Sequence, residues 1–262
     1  MAVLSCGEFL DALEKGEITI GDFSESVKLA PILHNGKVLR IQTPQMQSTF
    51  GINLPYASNA SNASNGSNDR FKNNKETPDP NANHTINLSF NNIDKRKSLM
   101  KFMSAIEKMN DGVMNKASER SIDWFKRKLD LESIQARFNS NIKKSMSKVD
   151  NPDKPGQFMY KENARYAPSF RCTLHRSNGD YVFDTCDEKY EPIDLNKYDT
   201  KGAQFTAILK CAGVYVMNQS FGISWKVEQM RVISPPTLEV PKIQFREEEN
   251  EDENKKKAPK TS

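Results

Sequence analysis

This chain of 262 residues has few of the residue types on which catalytic and metal sites depend. It contains three histidines, His34, His84 and His175, and four cysteines without a C-x-x-C pair, Cys6, Cys172, Cys186 and Cys211. A zinc site needs three or four clustered nitrogen or sulfur ligands, so the sequence offers no recognisable metal site. It also lacks a glycine-rich phosphate loop, a G-x-S-x-G motif and an H-E-x-x-H motif. These absences argue against most enzyme classes, and the sequence predicts no catalytic residue and no cofactor.

Long apolar runs and a secretory leader are also missing. No window approaches the roughly 18 uncharged apolar residues that a membrane-spanning helix needs. The first residues carry Glu8 and Asp11 without a basic flank, which is not the pattern of a secretory signal. We therefore expect a soluble intracellular protein with free thiols. Its 14 Phe, 7 Tyr and 2 Trp exclude a wholly disordered chain.

Charge is distributed unevenly along the chain. The formal net charge is +4, but the run 247–253 holds six acids in seven residues, so the rest of the chain carries +10. Between Lys95 and Lys148, 14 Lys and Arg residues face six Asp and Glu residues. A basic body favours a polyanionic partner, because the neutralisation of phosphates releases their counterions. Charge alone leaves a solvated helix face with a solubilising tail as an equal alternative.

Hydrophobic spacing predicts helices in the first half of the chain. Ser5 and Glu8 form a capping-box pattern at the start of a helix over 5–15, which Gly16 ends. The strongest helical stripe consists of Leu99, Phe102, Met103, Ile106, Met109 and Val113. A further helix is predicted over 121–131, with the stripe Ile122, Phe125 and Leu129. Both stripes predict packing against a sheet.

Alternation of apolar and polar residues predicts strands on both sides of these helices. Strands are expected over 37–42 and 85–90, and again over 202–217 and 222–233. In the last strand Trp225 and Met230 have opposite parity, which indicates a bulge or a bend. Asn178-Gly179 favours a type I′ turn and predicts a hairpin over 170–185 that pairs Leu174 with Phe183 and Arg176 with Tyr181.

The order of these elements predicts an α+β chain. Its sheet is expected to be a small antiparallel barrel with the helical segment, residues 94–148, inserted between strands. Residues 56–83 repeat Ser and Asn with almost no apolar residues, so we expect a flexible loop there. Periodicity alone predicts no more than a nucleic-acid-binding module.

The last strands add a resemblance to a known family. They contain K-G-A-Q-F-T-A-I-L-K from Lys201, then A-G-V-Y-V, then F-G-I-S-W-K-V-E-Q from Phe221. This pattern resembles the single-stranded DNA-binding proteins of nucleocytoplasmic large DNA viruses, which are similar to the replication proteins of this class in some tailed phages. The resemblance spans roughly residues 151–233, and the N-terminal half agrees in architecture.

The resemblance implies a fold and a function. The fold would be a single OB-fold-like antiparallel β-barrel over residues 1–245, with the helical insertion, followed by a disordered charged tail over 246–262. The function would be sequence-independent binding of single-stranded DNA in viral replication, recombination or repair, without enzymatic activity. The expected location is the host cytoplasm or nucleus, and the tail would recruit replication proteins. In the phage proteins the tail ends in an aromatic residue, whereas lysines follow the acidic run here, which counts against recruitment.

Under this reading the candidate DNA-binding residues are aromatic side chains interleaved with cations: Tyr160, Lys161, Arg165, Tyr166, Arg171, Lys210, Tyr215, Trp225 and Lys226. Bases would stack on the rings and phosphates would contact the cations. Each residue has an alternative role. Trp225 shares a face with Ile223 and Val227, which favours the core. Tyr215 lies between Val214 and Val216, which also favours the core. Tyr160 and Tyr166 would otherwise pack within a loop, and Lys210 would be a solvated outer-face residue.

Three other functions stay open at this point. A scaffolding or virion protein would have defined protein partners and no DNA affinity. An RNA-binding OB protein would have the same sequence features, because stacking tolerates both nucleic acids. An enzyme acting on nucleic acid would need clustered carboxylates for Mg²⁺, but the acids cluster only in the tail.

The opposite charges of body and tail generate a testable prediction. We expect the acidic run 247–253 to compete with DNA for the basic surface, as a mimic of phosphate. Deletion of residues 247–262 should therefore tighten binding to single-stranded DNA at low salt, measured by fluorescence anisotropy. An unchanged affinity throughout a salt titration would refute this competition.

Overall fold

The computed structural model describes residues 2–54, 81–152, 156–217 and 220–233. The acidic run and the lysines after it lie outside these residues, as does the expected flexible loop apart from residues 81–83. Among the described ranges no helix combines the length and the apolar character needed to cross a membrane.

Strands dominate the structure, and a few helices interrupt them. The helices are α1 (Cys6–Glu14), α2 (Lys97–Glu119), α3 (Ser121–Phe125) and α4 (Leu131–Arg137), with 3-10 turns at Ile93–Lys95 and Leu195–Lys197. The strands before α2 are β1 (Ile18–Ile20), β2 (Leu29–Ala30), β3 (Ile32–His34), β4 (Lys37–Val38), β5 (Arg40–Gln42), β6 (Met46–Gln47), β7 (Ile52–Asn53) and β8 (His84–Ser89). Those after α4 are β9 (Ile142–Lys143), β10 (Met146–Asp150), β11 (Phe158–Glu162), β12 (Ser169–Leu174), β13 (Arg176–Ser177), β14 (Asp180–Tyr181), β15 (Asp184–Cys186), β16 (Gln204–Met217) and β17 (Ser220–Ile233). The expected mixed α+β class is confirmed.

The main sheet is built around the long antiparallel pair of β16 and β17. β17 also pairs with β12, β12 with β8, β8 with β6, and β6 with β16, so these pairings return to the starting strand. The β12–β17 pairing is parallel and rests on Thr173 opposite Lys226. β2 and β5 extend the pairing along β16, while β7, β9 and β15 pair with β8, β12 and β17.

A bulge lets β17 keep one apolar face throughout. The register with β16 shifts after Ile208, so that Gln229 and Val227 lie opposite consecutive residues and Glu228 is skipped. Trp225 before the bulge and Met230 after it are both buried. The predicted bulge is confirmed, because an extra residue reverses the parity of the strand that follows it.

Helices α1 and α2 cover the apolar side of the sheet. Phe102 of α2 lies edge-to-face with Phe170 of β12, with 5.2 Å between the ring centroids. Phe9 of α1 meets Trp225 of β17 in the same way at 6.3 Å. α1 begins at the predicted capping box, in which the Glu8 amide donates to the Ser5 hydroxyl and Glu8 accepts from the Ser5 amide. The stripe of α2 is confirmed, with five of its six residues buried, Leu99, Phe102, Ile106, Met109 and Val113.

The helix predicted over 121–131 is wrong in length and in orientation. α3 ends at Phe125, because Lys126 adopts a left-handed backbone with φ of 60°. Ile122 is 62% exposed, whereas Trp124 is 4% exposed and packs against Phe221. The larger ring takes the inward position, and α4 starts separately with Asp130 as its N-cap.

The predicted long hairpin over 170–185 is correct only at its tip. Asn178 and Gly179 have φ of 53° and 89°, as a type I′ turn requires, and Arg176 pairs with Tyr181. The pairing of Leu174 with Phe183 is wrong, since Leu174 lies opposite His84 in β8. β12 is a central strand, and β8 and β17 occupy its two edges.

His84 is a buried polar residue at this junction and is 4% exposed. Its Nε2 lies 2.9 Å from Nη1 of Arg176, and its Nδ1 lies 2.8 Å from the hydroxyl of Tyr181. A guanidinium group can only donate, so Nε2 accepts and the ring is neutral with its hydrogen on Nδ1. Burial, and then the charge of Arg176, lower the pKa of His84.

This lowered pKa predicts that the fold weakens in mild acid. Below the unfolded-state pKa of about 6.5 the unfolded chain binds a proton that folded His84 resists, so stability falls as the pH falls from there. The variant His84→Gln should lose less stability than the wild type between about pH 7.5 and pH 5.5, measured by urea unfolding. Parallel pH profiles for the two proteins would contradict the assignment, since His34 and His175 are common to both.

Candidate nucleic-acid interface

The face of the main sheet that points away from the helices carries a row of cations. Residues directly opposite each other on paired strands project to the same face. Lys226 lies opposite both Thr173 and Lys210, and Lys210 lies opposite Arg40. In β12, Arg171 alternates with Thr173 and with Ser169, and Ser169 lies opposite Lys143. We name this set the cation row: Lys143, Arg171, Lys226, Lys210 and Arg40.

The centre of the cation row is a pair of like charges. Lys210 and Lys226 are cross-strand neighbours, an arrangement that destabilises a sheet. Glu228, the bulge residue, offsets part of this repulsion. It accepts from Nε of Arg40 at 2.6 Å and lies 3.8 Å from Nζ of Lys210. Among the described residues, Lys143, Arg171 and Lys226 form no salt bridge, so the row keeps a net positive charge.

Neutral side chains hold the outer end of the cation row. Nζ of Lys143 donates to Oδ1 of Asn139 at 2.6 Å, and Nδ2 of Asn139 donates to the hydroxyl of Tyr215 at 3.0 Å. Nε of Arg171 donates to Oδ1 of Asn87 at 3.0 Å. Burial, and then the charge of Arg171, lower the pKa of Lys143. Amide partners orient these cations without neutralising them, which suits an anionic ligand.

A cleft of about 170 Å³ opens beside this end of the row. Arg171, Lys143 and Tyr215 line it together with Asn139, and Trp225 lies at its base. Tyr215 is half-buried and covers Gly222. A Cβ atom at Gly222 would lie 2.9 Å from the Tyr215 hydroxyl and 2.7 Å from the carbonyl oxygen of Asn139, so a side chain there would displace Tyr215.

A second groove, of about 330 Å³, continues from the first and shares Lys143 with it. Its walls include Phe50 and Tyr166, which are 76% and 57% exposed. Lys144 also lines this groove, and its Nζ lies 2.9 Å from a carboxylate oxygen of Glu162. Exposed rings beside Lys143, a cation without a carboxylate partner among the described residues, give the combination that single-stranded nucleic acid requires.

β10 and β11 form a separate two-stranded ribbon. Tyr160 is 69% exposed and lies opposite Lys148, so both project from the same face of the ribbon. Nζ of Lys148 lies 3.6 Å above the ring of Phe158, which is 56% exposed and on that face too. Lys161 projects from the opposite face, opposite Ser147. An isolated ribbon of this kind is only marginally stable by itself, and it presents its rings to solvent.

The predicted site residues therefore fall into three places. Arg171, Lys210 and Lys226 lie in the cation row with Tyr215 beside it, while Tyr160, Lys161, Arg165 and Tyr166 lie on the ribbon or just after it. The prediction that Trp225 contacts DNA is wrong. It is 1% exposed, and its ring is packed edge-on against Phe9 and Phe170, so no base can reach either face.

The structure adds residues that the sequence reasoning missed. Phe50, Lys143, Lys148, Phe158 and Arg40 all lie on these surfaces. Phe50 could have been noticed as a lone aromatic residue in a polar segment. The others depend on pairings between strands far apart in sequence. In the described part of the chain, no group of three or more His, Cys, Asp or Glu side chains is placed to hold a metal ion.

The different positions of Trp225 and Tyr166 predict different costs of truncation. Trp225→Ala should lower the free energy of unfolding by about 3–5 kcal/mol, because it leaves a cavity between buried rings. Tyr166→Ala should change it by no more than about 0.5 kcal/mol, because the ring is exposed. Urea unfolding measures both, and a small cost for Trp225→Ala would show that this ring is not part of the core.

Three solved structures are similar to this chain. The crystal structure of gp2.5, a single-stranded DNA-binding protein encoded by bacteriophage T7, has 13% sequence identity and a TM-score of 0.42, and the match covers 79% of this chain and 98% of that one. The single-stranded DNA-binding protein of bacteriophage Enc34 has, with a C-terminal truncation, 10% identity, a TM-score of 0.40 and coverage of 84% and 97%. The same protein in complex with ssDNA has 12% identity, a TM-score of 0.37 and coverage of 83% and 95%.

Sequence comparison identifies the family. No protein among the curated ones matches the chain. A family model described as a family of unknown function, DUF5871, matches residues 87–244, which is more than half of the chain. That range includes β12, β16 and β17 and four of the five residues of the cation row. The chain therefore belongs to the DUF5871 family.

Proposed function

We propose that this protein binds single-stranded DNA without regard to sequence. The observation that carries the proposal is the like-charged pair of Lys210 and Lys226 at the centre of the cation row. A sheet that places two lysines directly opposite each other loses stability, and natural proteins accept such costs at functional sites. A phosphate backbone lying across the row would remove the repulsion and release its own counterions.

The cation row sets the path of the phosphates. It crosses β9, β12, β17, β16 and β5, and with a strand spacing of about 4.8 Å it extends over roughly 19 Å. This length accommodates several consecutive phosphates. The backbone would enter beside Lys143 and Arg171, cross Lys226 and Lys210, and reach Arg40, where Glu228 begins to oppose it.

The exposed rings select single strands over duplex. Phe50 and Tyr166 flank the end of the row at Lys143, and Tyr160 and Phe158 extend from the ribbon next to it. Each base stacked on such a ring contributes about 1–3 kcal/mol. A duplex hides the faces of its bases, so it would gain the phosphate contacts alone.

The proposal includes the architecture and the biological setting expected from the sequence. The return of the strand pairings to β16 supports an OB-type barrel, a fold whose outer face binds oligonucleotides. We infer a role in viral DNA replication, recombination or repair, in which the protein protects exposed single strands without turnover. Recruitment of replication proteins by the charged tail belongs to the same proposal.

Fluorescence anisotropy with labelled dT30 tests this function. We expect tight binding that weakens as salt rises, and clearly weaker binding to a duplex of the same length. Labelled rU30 compares RNA with DNA under the same conditions. No binding of dT30 at micromolar protein and low salt would overturn the proposal and would favour a scaffolding role instead.

The central pair of lysines provides a sharper test. Lys226→Gln should lower the affinity for dT30 and reduce the slope of log K against log salt by about 0.7, the value for one phosphate contact of a single strand. Because the substitution also removes the repulsion from Lys210, the free energy of unfolding should stay the same or rise by about 0.2–1 kcal/mol.

Lys101→Gln is the matched control for Lys226→Gln. Lys101 is an exposed lysine of α2, whose buried residues pack on the opposite side of the sheet. Its replacement removes the same charge and should leave the salt slope unchanged. Equal slopes for Lys226→Gln and the wild type would mean that no phosphate reaches the centre of the row.

A further inference from the structure

The outer face of the sheet continues past Glu228 into a groove of about 630 Å³. We name it the β15 groove and define it by Asp184, Cys186, Tyr190, Thr206, Ile208 and Arg231. Thr206 and Ile208 alternate with Lys210 along β16 and project from the same face. Thr206 lies four residues from Lys210, which is about 13 Å along a strand. The groove therefore lies beside the cation row on the same face of the sheet.

Arg231 supplies a cation without a carboxylate partner in the described residues. Its Nη1 donates to the hydroxyl of Tyr190 at 2.6 Å, and the guanidinium group lies 5.2 Å from the centre of that ring. Its Nε is buried and has no acceptor among the described residues. The hydroxyl of Thr206, which lies opposite Arg231, is also buried without a partner there. Buried polar groups normally find partners, so Arg231 and Thr206 retain hydrogen-bonding capacity beside the groove.

Tyr190 is held over Arg231 at a conformational cost. Its φ is 66°, a left-handed backbone that is unusual for a bulky residue. The turn is fixed by Oδ1 of Asp187, which accepts from the amides of Lys189 and Glu191 at 2.8 and 2.9 Å. The ring is nevertheless 70% exposed. Backbone strain that presents an exposed aromatic ring is a feature of binding sites.

The composition of the groove fits a nucleotide. Its volume lies in the range of about 300–1,000 Å³ that is usual for sites of small ligands. Ile208 gives it an apolar wall, Tyr190 gives a ring for stacking, and Arg231 gives a donor for a phosphate oxygen. Gln42 and Gln229 add amide groups that can pair with the edge of a base.

We propose that the β15 groove is a nucleotide subsite, in which one base of a bound single strand stacks on Tyr190 while an adjacent phosphate contacts Arg231. This inference rests on the proposed function and adds a second point of attachment to it. The strand would leave the cation row at Arg40 and place a nucleotide in the groove. Oligonucleotides too short to span the distance between the two would lose this contact.

Cys186 provides a direct probe, because it lies in the groove and is half-buried. The other three thiols are expected to react slowly. Burial raises the pKa of Cys6 to about 11, and the pKa values of Cys172 and Cys211 to about 12. A short pulse of N-ethylmaleimide on the full chain, followed by peptide mass spectrometry, therefore reports on Cys186. We expect dT30 to slow its alkylation in proportion to the bound fraction, measured by anisotropy in the same sample.

Two substitutions test the contacts themselves. Tyr190→Ala should lower the affinity for dT30 about 5- to 150-fold, the effect of one stacked base. Arg231→Gln should reduce the salt slope by about 0.7. Lys189→Gln is the matched control, since it removes an exposed charge from the same turn without lining the groove.

The outcomes separate this inference from the proposed function. Binding of dT30 with unchanged alkylation of Cys186 would overturn the subsite and leave the function standing. Protection of Cys186 with wild-type affinities in both variants would overturn it as well, because the protection would then have another source. Absence of dT30 binding to the wild type would overturn both.

Discussion

The structure depends on the antiparallel pairing of β16 with β17. This pairing runs from Gln204 opposite Ile233 to Met217 opposite Ser220, and five of the eight other strands of the main sheet pair with one of the two. β2, β5 and β6 pair with β16, while β12 and β15 pair with β17. Because the side chains of a strand alternate between its faces, this one ribbon also divides the molecule. Its inner residues meet the helices, and its outer residues form the surface that we assign to the ligand.

The register of the strands, as well as their composition, decides which side chains of the β16–β17 pair point inward and which point outward. The bulge at Glu228 corrects the parity of β17, so Trp225 and Met230 are both buried although an odd number of positions separates them. The same bulge places a carboxylate beside Arg40 and Lys210. It thereby divides the outer face into a row of cations with a net positive charge on one side and the β15 groove on the other. One extra residue therefore keeps the inner face of β17 apolar and also supplies a carboxylate to the outer face.

Local patterns predicted the local elements well. The capping box at Ser5, the alternation from Ile86 to Phe90 and the stripe of α2 each depend on neighbours in sequence, and each is confirmed. The prediction over 121–131 was wrong because spacing alone does not show that Trp124 outcompetes Ile122 for the interior. Trp225 was chosen for its chemistry although its parity with Ile223 favoured the core. The cation row could not be predicted from local patterns, because it is formed by the pairing of strands that are distant in the chain.

The separation of paired residues along the chain also affects how the protein folds during its synthesis. Arg40 and its partner Glu228 are 188 residues apart. The ring of Phe9 is enclosed only after Trp225 has been synthesised. At a synthesis rate of about 5–20 residues per second, roughly 10–40 s pass between the emergence of the first partner and that of the second. During this interval α1 can pack against α2, and β1, β3 and β4 can pair with one another, but β2, β5 and β6 lack β16. The main sheet is therefore completed only after the ribosome has produced β17, and the apolar residues that β16 and β17 cover stay exposed until then.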